Sequence, residues 1–247
     1  MVKAEGPLPH ATRSLLPDAV ARQIQSKILD GTLRAGDRLP PERELAQQLG
    51  VNRSSVREAL KKLEQLRLVA IQQGSGIRVQ SPDEASFDLV GAMLFPSGRP
   101  NLTRIADLLE LREILFGGSM RLALERASGG EIEEVVGQLH RAADPDLPDE
   151  DFVQALSGLQ HALACISGNR ILVMLSNSLG RFTSQAGFRS ANTLVALDRR
   201  LLVSLARRLA VAMEARDVER AQGFLMDILR RVTRATLKGL DPPIATA

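Results

Sequence analysis

The sequence contains no tryptophan, no tyrosine and only seven phenylalanines in 247 residues. All seven Phe lie at or beyond position 87, so residues 1–80 carry no aromatic ring. A segment without rings cannot stack unpaired bases, which removes the usual way of holding single strands or RNA loops. Cysteine is nearly missing as well. Cys165 stands alone, so no disulfide can form within the chain, and a reducing compartment is expected. No run of eighteen apolar residues is present, which argues against a membrane span. The first residues, MVKAEGPLPHATRS, lack the apolar stretch of an export signal, so the expected location is the cytoplasm. Histidine is scarce too: His10, His140 and His161 are all there is, and a metal centre needs three or four converging donors.

What is present suits a water-soluble globular protein, with 44% hydrophobic and 25% charged residues. The length fits two domains better than one. Charge is distributed unevenly. Residues 1–80 hold 13 Lys/Arg against 8 Asp/Glu, a balance of +5, whereas residues 81–247 hold 19 against 21, a balance of −2. A basic, ring-free first region can meet the phosphates of a duplex. Many domains with no such partner carry the same charge, so the balance alone decides nothing.

Apolar periodicity divides the chain more sharply. Val20, Ile24, Ile28 and Leu29 recur at helical spacing from Leu16 and stop before Gly31. After the turn LRAGDRLPP, Pro41 opens a second helix with Glu42 and Glu44 in its first turn, Leu45, Ala46 and Leu49 on its inner side, and Gly50 at its end. Asn52 is a good N-cap for a third helix with Val56, Ala59, Leu60 and Leu63 inside and Arg53, Arg57, Lys61 and Lys62 on the opposite side. VAIQQ and GIRVQ then read as two strands about Gly74-Ser75-Gly76. Three helices and a hairpin over residues 15–80 make a winged helix-turn-helix, preceded by a tail over 1–14. SPDEAS, residues 81–86, reads as the linker. Beyond it, helices are predicted near 86–95, 102–127, 130–142, 149–167, 170–188, 192–215 and 217–238. The expected fold is therefore mostly α: the winged domain followed by an all-helical bundle over 87–240 with about seven helices.

In a helix-turn-helix the second helix of the pair lies in the major groove and its N-terminal residues face the base edges. That explains the chemistry at the start of the third helix. Arg53 and Arg57 sit one turn apart, and an Arg fork matches O6 and N7 of guanine. Ser54 and Ser55 are short donors at a helix N-terminus, suited to phosphate. Each residue alone could be an ordinary solvated one; the ordered set is what points to a duplex.

The segment PPERELAQQLGVNRSSVREAL resembles the DNA-binding segment of GntR-family bacterial transcription regulators. LELREILFGGSMRLALERA and ISGNRIL resemble landmarks of the FadR subgroup, whose helical effector domain is called FCD. By position, the resemblance implies DNA contacts at Arg43, Asn52, Arg53, Arg57, Gln73 and Gly74, with Ser54 and Ser55 beside them. It also implies a homodimer on a pseudo-palindromic operator, expected as a repressor, with a small-molecule effector. Many FCD domains hold a metal through one Asp and three His. Those positions fall here on Leu156, Gln160, Ala206 and Ile228, none an ionisable ligand, so no metal or other cofactor is expected. Such a lining suits an acyl or other largely apolar effector, while a carboxylate gripped by Arg112 remains an alternative.

Other groups carry less. Cys165 is expected in the core, Glu131, Glu133 and Glu134 as a solvated first helical turn, and Arg207, Arg208, Arg230 and Arg231 on solvent-facing sides. No nucleophile–base pair or carboxylate dyad marks an enzyme. A DNA-architectural protein without effector control stays open, and a DNA-binding domain fused to an enzyme is the weakest reading.

Overall fold

The computed structural model describes residues 15–72, 76–144, 147–183 and 198–240. It divides into two compact units at Arg99–Pro100. In the first, α1 (Leu15–Leu29), α2 (Glu42–Leu49) and α3 (Arg53–Gln65) stand with strands β1 (Arg38–Leu39), β2 (Val69–Gln72) and β3 (Gly76–Val79). The sheet is antiparallel in the order β1-β3-β2, with Leu39 opposite Ile77 and Val69 opposite Val79. Ile77 and Val79 alternate inward against exposed Gly76 and Arg78, the period expected of a half-buried strand. β1 lies in the stretch expected to be a turn. Two residues are too short to show a period of two.

The core of this unit gathers Ile24 and Ile28 from α1, Leu45 from α2, and Val56, Leu60 and Leu63 from α3. The three α3 residues are fully buried. Each such leucine stabilises the fold by about 1.5–3 kcal/mol relative to exposure. α3 begins where the Asn52 side chain accepts a hydrogen bond from Ser55 N at 2.8 Å. It ends in a left-handed residue that is not glycine, Arg67, at φ 57. Arg67 N donates to Glu64 O and Leu68 N to Leu63 O, both at 2.9 Å, the paired bonds of a Schellman ending. At Gly76, φ is +85 and a Cβ would approach Arg38 Nε to 3.1 Å, so this corner of the sheet favours glycine on two counts.

Residues 87–95, expected to open the helical domain, instead join the first unit. They form a short turn, Phe87–Leu89, followed by α4 (Val90–Leu94). Leu89 belongs to the first unit's core, and Ala92 and Met93 pack against it. Periodicity revealed a helix with a buried side but could not say which core receives it. The linker holds the segment there: Ser86 N donates to Leu66 O at 3.1 Å, beside the end of α3.

The regular elements among the second unit's described residues are all helices: α5 (Leu102–Arg126), α6 (Gly129–Ala142), α7 (Asp149–Ile166), α8 (Arg170–Thr183), α9 (Arg199–Glu214) and α10 (Val218–Leu240). α5 packs on α7 and α10, α6 on α7 and α9, and α9 on α10. Phe116, Met120, Leu163, Leu209, Leu225 and Ile228 meet in one core. The ends of the helices predicted over 170–188 and 192–215 lie partly outside the described residues. No described helix is long and apolar enough to cross a membrane.

The starts of α5, α6 and α9 are capped locally, and several helix ends are closed by arginines from elsewhere in the chain. Ser128 and Glu131 form a reciprocal capping box at the start of α6. The Ser128 side-chain hydrogen bond, then its backbone N–H, hold the Glu131 carboxyl below its usual range. Arg216, at the α9–α10 corner with φ 52, donates through Nη1 to Leu124 O at 2.8 Å and through Nη2 to Ala127 O at 2.7 Å. Arg126 donates to Ser167 O, Arg207 to Ala143 O, and Arg199 to Asp144 O and Leu147 O. Apart from Leu147 O, which precedes α7, these carbonyls lie at or just past the ends of helices; the last carbonyls of a helix have no partner within it and carry a partial negative charge, so a guanidinium satisfies both needs.

Candidate nucleic-acid interface

The outer side of α2 and α3 in the first unit brings together most of the residues expected to meet DNA. Arg53 occupies the first position of α3, directly after the Asn52 cap. Arg43, Arg53, Ser54 and Arg57 are all exposed. Arg43 and Arg53 make no ion pair among the described residues. Packing of Val56, Ala59, Leu60 and Leu63 turns the opposite side of α3 outward, so the burial of one set of residues aims the other.

Two residues depart from the expected set. Ser55 is 7% exposed and belongs to the inward side of α3, so its hydroxyl is not presented to an outside phosphate. The helical period accounts for this: Ser55 is one residue from Val56 and four from Ala59, on the edge of the apolar stripe. Asn52 has its side-chain oxygen occupied by the cap, which leaves its amide group as the part free for a base or phosphate. Gln73 and Gly74, expected at the wing tip, lie outside the described residues.

Arg57 has a partner that the sequence did not suggest. Its Nε and Nη2 donate to the two carboxylate oxygens of Glu42 at 3.2 and 3.1 Å. The hydrogen bonds, then the charge, of Glu42 push the Arg57 guanidinium further up. The pair engages one edge of the guanidinium and leaves Nη1 outward, so Glu42 on α2 sets the direction of an α3 side chain. Because the pair is exposed and screened by solvent, its effect is on orientation rather than stability. The residues are fifteen apart. Only the turn between the helices brings them together.

In the helical unit, the positions carried over from metal-binding FCD domains fit no metal. Ala206 and Ile228 are 0% and 2% exposed and offer only carbon. Gln160 is half-buried on α7. Leu156 also lies on α7, and its side chain is outside the described set. Among the described residues no three His, Cys, Asp or Glu come together as ligands. Cys165 corrects the expectation of a core thiol: it is exposed, with Sγ 3.4 Å from Nε2 of His161, one turn earlier on α7. The helical period put it beside apolar neighbours, yet Leu163 and Ala164 take the buried positions. Arg207, Arg208, Arg230 and Arg231 are exposed as expected. Arg208 also lies over the Phe224 ring, 4.4 Å from its centroid.

Comparison with known proteins finds a match in each of the two units. Residues 16–79 match the family described as "Bacterial regulatory proteins, gntR family", and residues 107–231 match the FCD domain. An uncharacterized HTH-type transcriptional regulator of Mycobacterium tuberculosis is 35% identical over 150 residues, covering 58% of this chain and 61% of the relative. The match thus spans about three fifths of that relative's length. The fatty acid metabolism regulator protein of Shewanella sp. is 30% identical over 194 residues, covering 76% of this chain and 73% of that protein. Among solved structures, Listeria monocytogenes Lar, described as controlling expression of the agr system, superposes with a TM-score of 0.53 at 15% identity. That superposition covers 94% of this chain and 99% of Lar, and bears on the fold alone.

Proposed function

This chain belongs to the gntR family of bacterial regulatory proteins, in the group that carries an FCD domain, and from that premise we propose that it is a sequence-specific, DNA-binding regulator of transcription. The observation that carries the reading is Arg53. It is exposed at the first turn of a helix whose start is fixed by the Asn52 cap, with Arg43 and Arg57 on the same outer side. A guanidinium held at that place can form two hydrogen bonds with one guanine edge, while Arg43 and Ser54 reach the flanking phosphates.

The regulator acts as a homodimer on a pseudo-palindromic site in the cytoplasm, at the nucleoid, because one such module makes too few contacts for specificity. It carries out no catalysis and holds no metal. The bundle takes a small effector, largely apolar given Ala206 and Ile228 at the inner positions, and the effector weakens operator binding so that the protein represses until it arrives. The fatty acid metabolism regulator among its relatives supports an acyl-type molecule. A coupling of about 1–3 kcal/mol between the two ligands would change operator affinity roughly 5- to 150-fold.

Selection of duplexes from a random library with the full chain, followed by binding titrations, tests this. The expected result is an enriched inverted repeat, with Arg53→Ala losing the preference at one base pair per half-site and melting as the parent does. If no sequence is enriched over random competitor, the reading fails. Elemental analysis checks the metal: a stoichiometric ion in the purified protein would contradict the proposal.

A further inference from the structure

The outer face of the sheet in the first unit carries two arginines opposite one another. Arg38 on β1 and Arg78 on β3 are register partners, and both are exposed. Leu39, Ile77 and Val79 are buried in the core, so the period of two along a strand sends both arginines outward. Ala70 on β2 is the other neighbour of Arg78, and Gln72 and Gly76 complete the face. None of the strand positions is Asp or Glu. Directly opposite residues hold their Cβ atoms about 4.5–5.5 Å apart, and like charges at that spacing oppose folding.

The two side chains part along the face. Arg38 leans toward Gly76, where an added Cβ would lie 3.1 Å from its Nε and 3.3 Å from its Nη2. Gly76 directly follows the residues expected at the wing tip, so the Arg38 guanidinium stands at the root of the wing. Arg78 leans the other way and donates through Nη1 to Gly36 O at 3.2 Å. That acceptor is a neutral carbonyl, and Arg78 makes no ion pair among the described residues. β2 packs against α3, so the hairpin flanks the helix proposed to enter the major groove. Two cations spread along one direction suit a row of anions better than a single one. A duplex strand is such a row, with one phosphate for about every 3.4 Å of axis.

We propose that Arg38 and Arg78 form a phosphate-contacting track beside the wing, holding backbone phosphates of one duplex strand and reading no base. This deepens the DNA-binding reading and rests on it. The start of α3 meets base edges and the phosphates next to them, while the outer sheet face meets the strand that flanks the wing. A phosphate row also screens the two guanidinium groups from each other, so the charge repulsion present in the free protein is relieved when the duplex binds.

Titration of the full chain against labelled duplexes over a range of salt concentrations tests the track, with the selected operator and a random duplex as probes. Each phosphate neutralised by the protein contributes about 0.9 to the slope of log affinity against log salt. Arg38→Gln and Arg78→Gln should each lower that slope by about 0.9 and leave the order of preference among duplexes unchanged. Across a fourfold rise in salt, the loss of affinity should be about 3.5-fold smaller for each variant than for the parent. Arg38→Lys and Arg78→Lys keep the charge and should keep the slope, an exchange that a base-reading fork would not survive. Should a glutamine variant not fold, threonine, a good strand former, replaces it at the same position. The proposal is overturned if either neutral variant keeps the parent's slope, if its base preference changes, or if a lysine variant loses the slope as glutamine does. The regulator reading is judged separately. Loss of slope on the random duplex without any enriched sequence leaves the track standing and removes sequence-specific regulation; an enriched sequence with unchanged slopes does the reverse. A chain that binds no duplex overturns both.

Discussion

On α2 and α3 the guanidinium groups of Arg43, Arg53 and Arg57 face solvent, whereas in the helical unit those of Arg126, Arg199, Arg207 and Arg216 are turned onto main-chain carbonyls near helix ends. One side chain serves two ends because its donors are many, planar and permanently charged. On the outer side of α2 and α3 the arginines leave main-chain acceptors alone, and Arg57 meets only the Glu42 carboxylate. Where helices must terminate inside a bundle, the same fork completes them. The contrast teaches that arginine count, or net charge, is a poor guide to which part of a chain is open to nucleic acid; what separates the two uses is whether the donors are already taken by main-chain carbonyls.

That contrast can be broken most forcefully at Arg216. Arg216→Ala removes two hydrogen bonds from the end of α5 and should cost about 2–3 kcal/mol in a urea titration, with no defect specific to DNA binding at temperatures where the fold survives. Arg53→Ala should show the opposite profile: about 1–3 kcal/mol lost from specific binding, and stability within about 0.5 kcal/mol of the parent. Asn52→Ala lies between, since its side chain serves the α3 cap. About 1 kcal/mol of stability should go, and an unchanged melting temperature would show that the cap is idle in solution. The smallest effect sharpens a comparison inside the comparison. Arg67 and Arg216 both end a helix in the left-handed region, but only Arg216 ties its side chain to another helix end. Arg67→Gly should therefore gain roughly 0.5 kcal/mol, while Arg216→Gly should lose nearly as much as Arg216→Ala.

Much of this architecture could be read from spacing. The periods of 3.6 in Val56–Leu63 and 2 in Ile77–Val79 set which sides are buried, and Asn52 and Gly50 marked boundaries that the backbone confirms. The failures have physical reasons. β1 is two residues long, below any period. α4 has an apolar stripe, but a stripe carries no address for the core that receives it. Cys165 and Ser55 lie at the edges of stripes, where a rotation of part of a turn decides exposure. At the candidate interface, the outward side of Arg53 and Arg57 was legible from the helical period, while the Glu42 partner was not, since it depends on how two helices cross. Arg112 was visible as a residue, but that Nε and Nη2 of its guanidinium are enclosed without a hydrogen-bond partner is a property of three-dimensional surroundings alone.

The tie from Arg216 to Leu124 and Ala127 reaches across 92 and 89 positions of chain. During synthesis at roughly 5–20 residues per second, the terminus of α5 therefore emerges on the order of ten seconds before the group that closes it. In that interval its carbonyls can turn only to water. The bundle cannot be assembled in the order in which it is made: its earliest long helix is finished by one of its last corners, and a nascent chain stalled short of that corner would present a frayed helix end to whatever it meets.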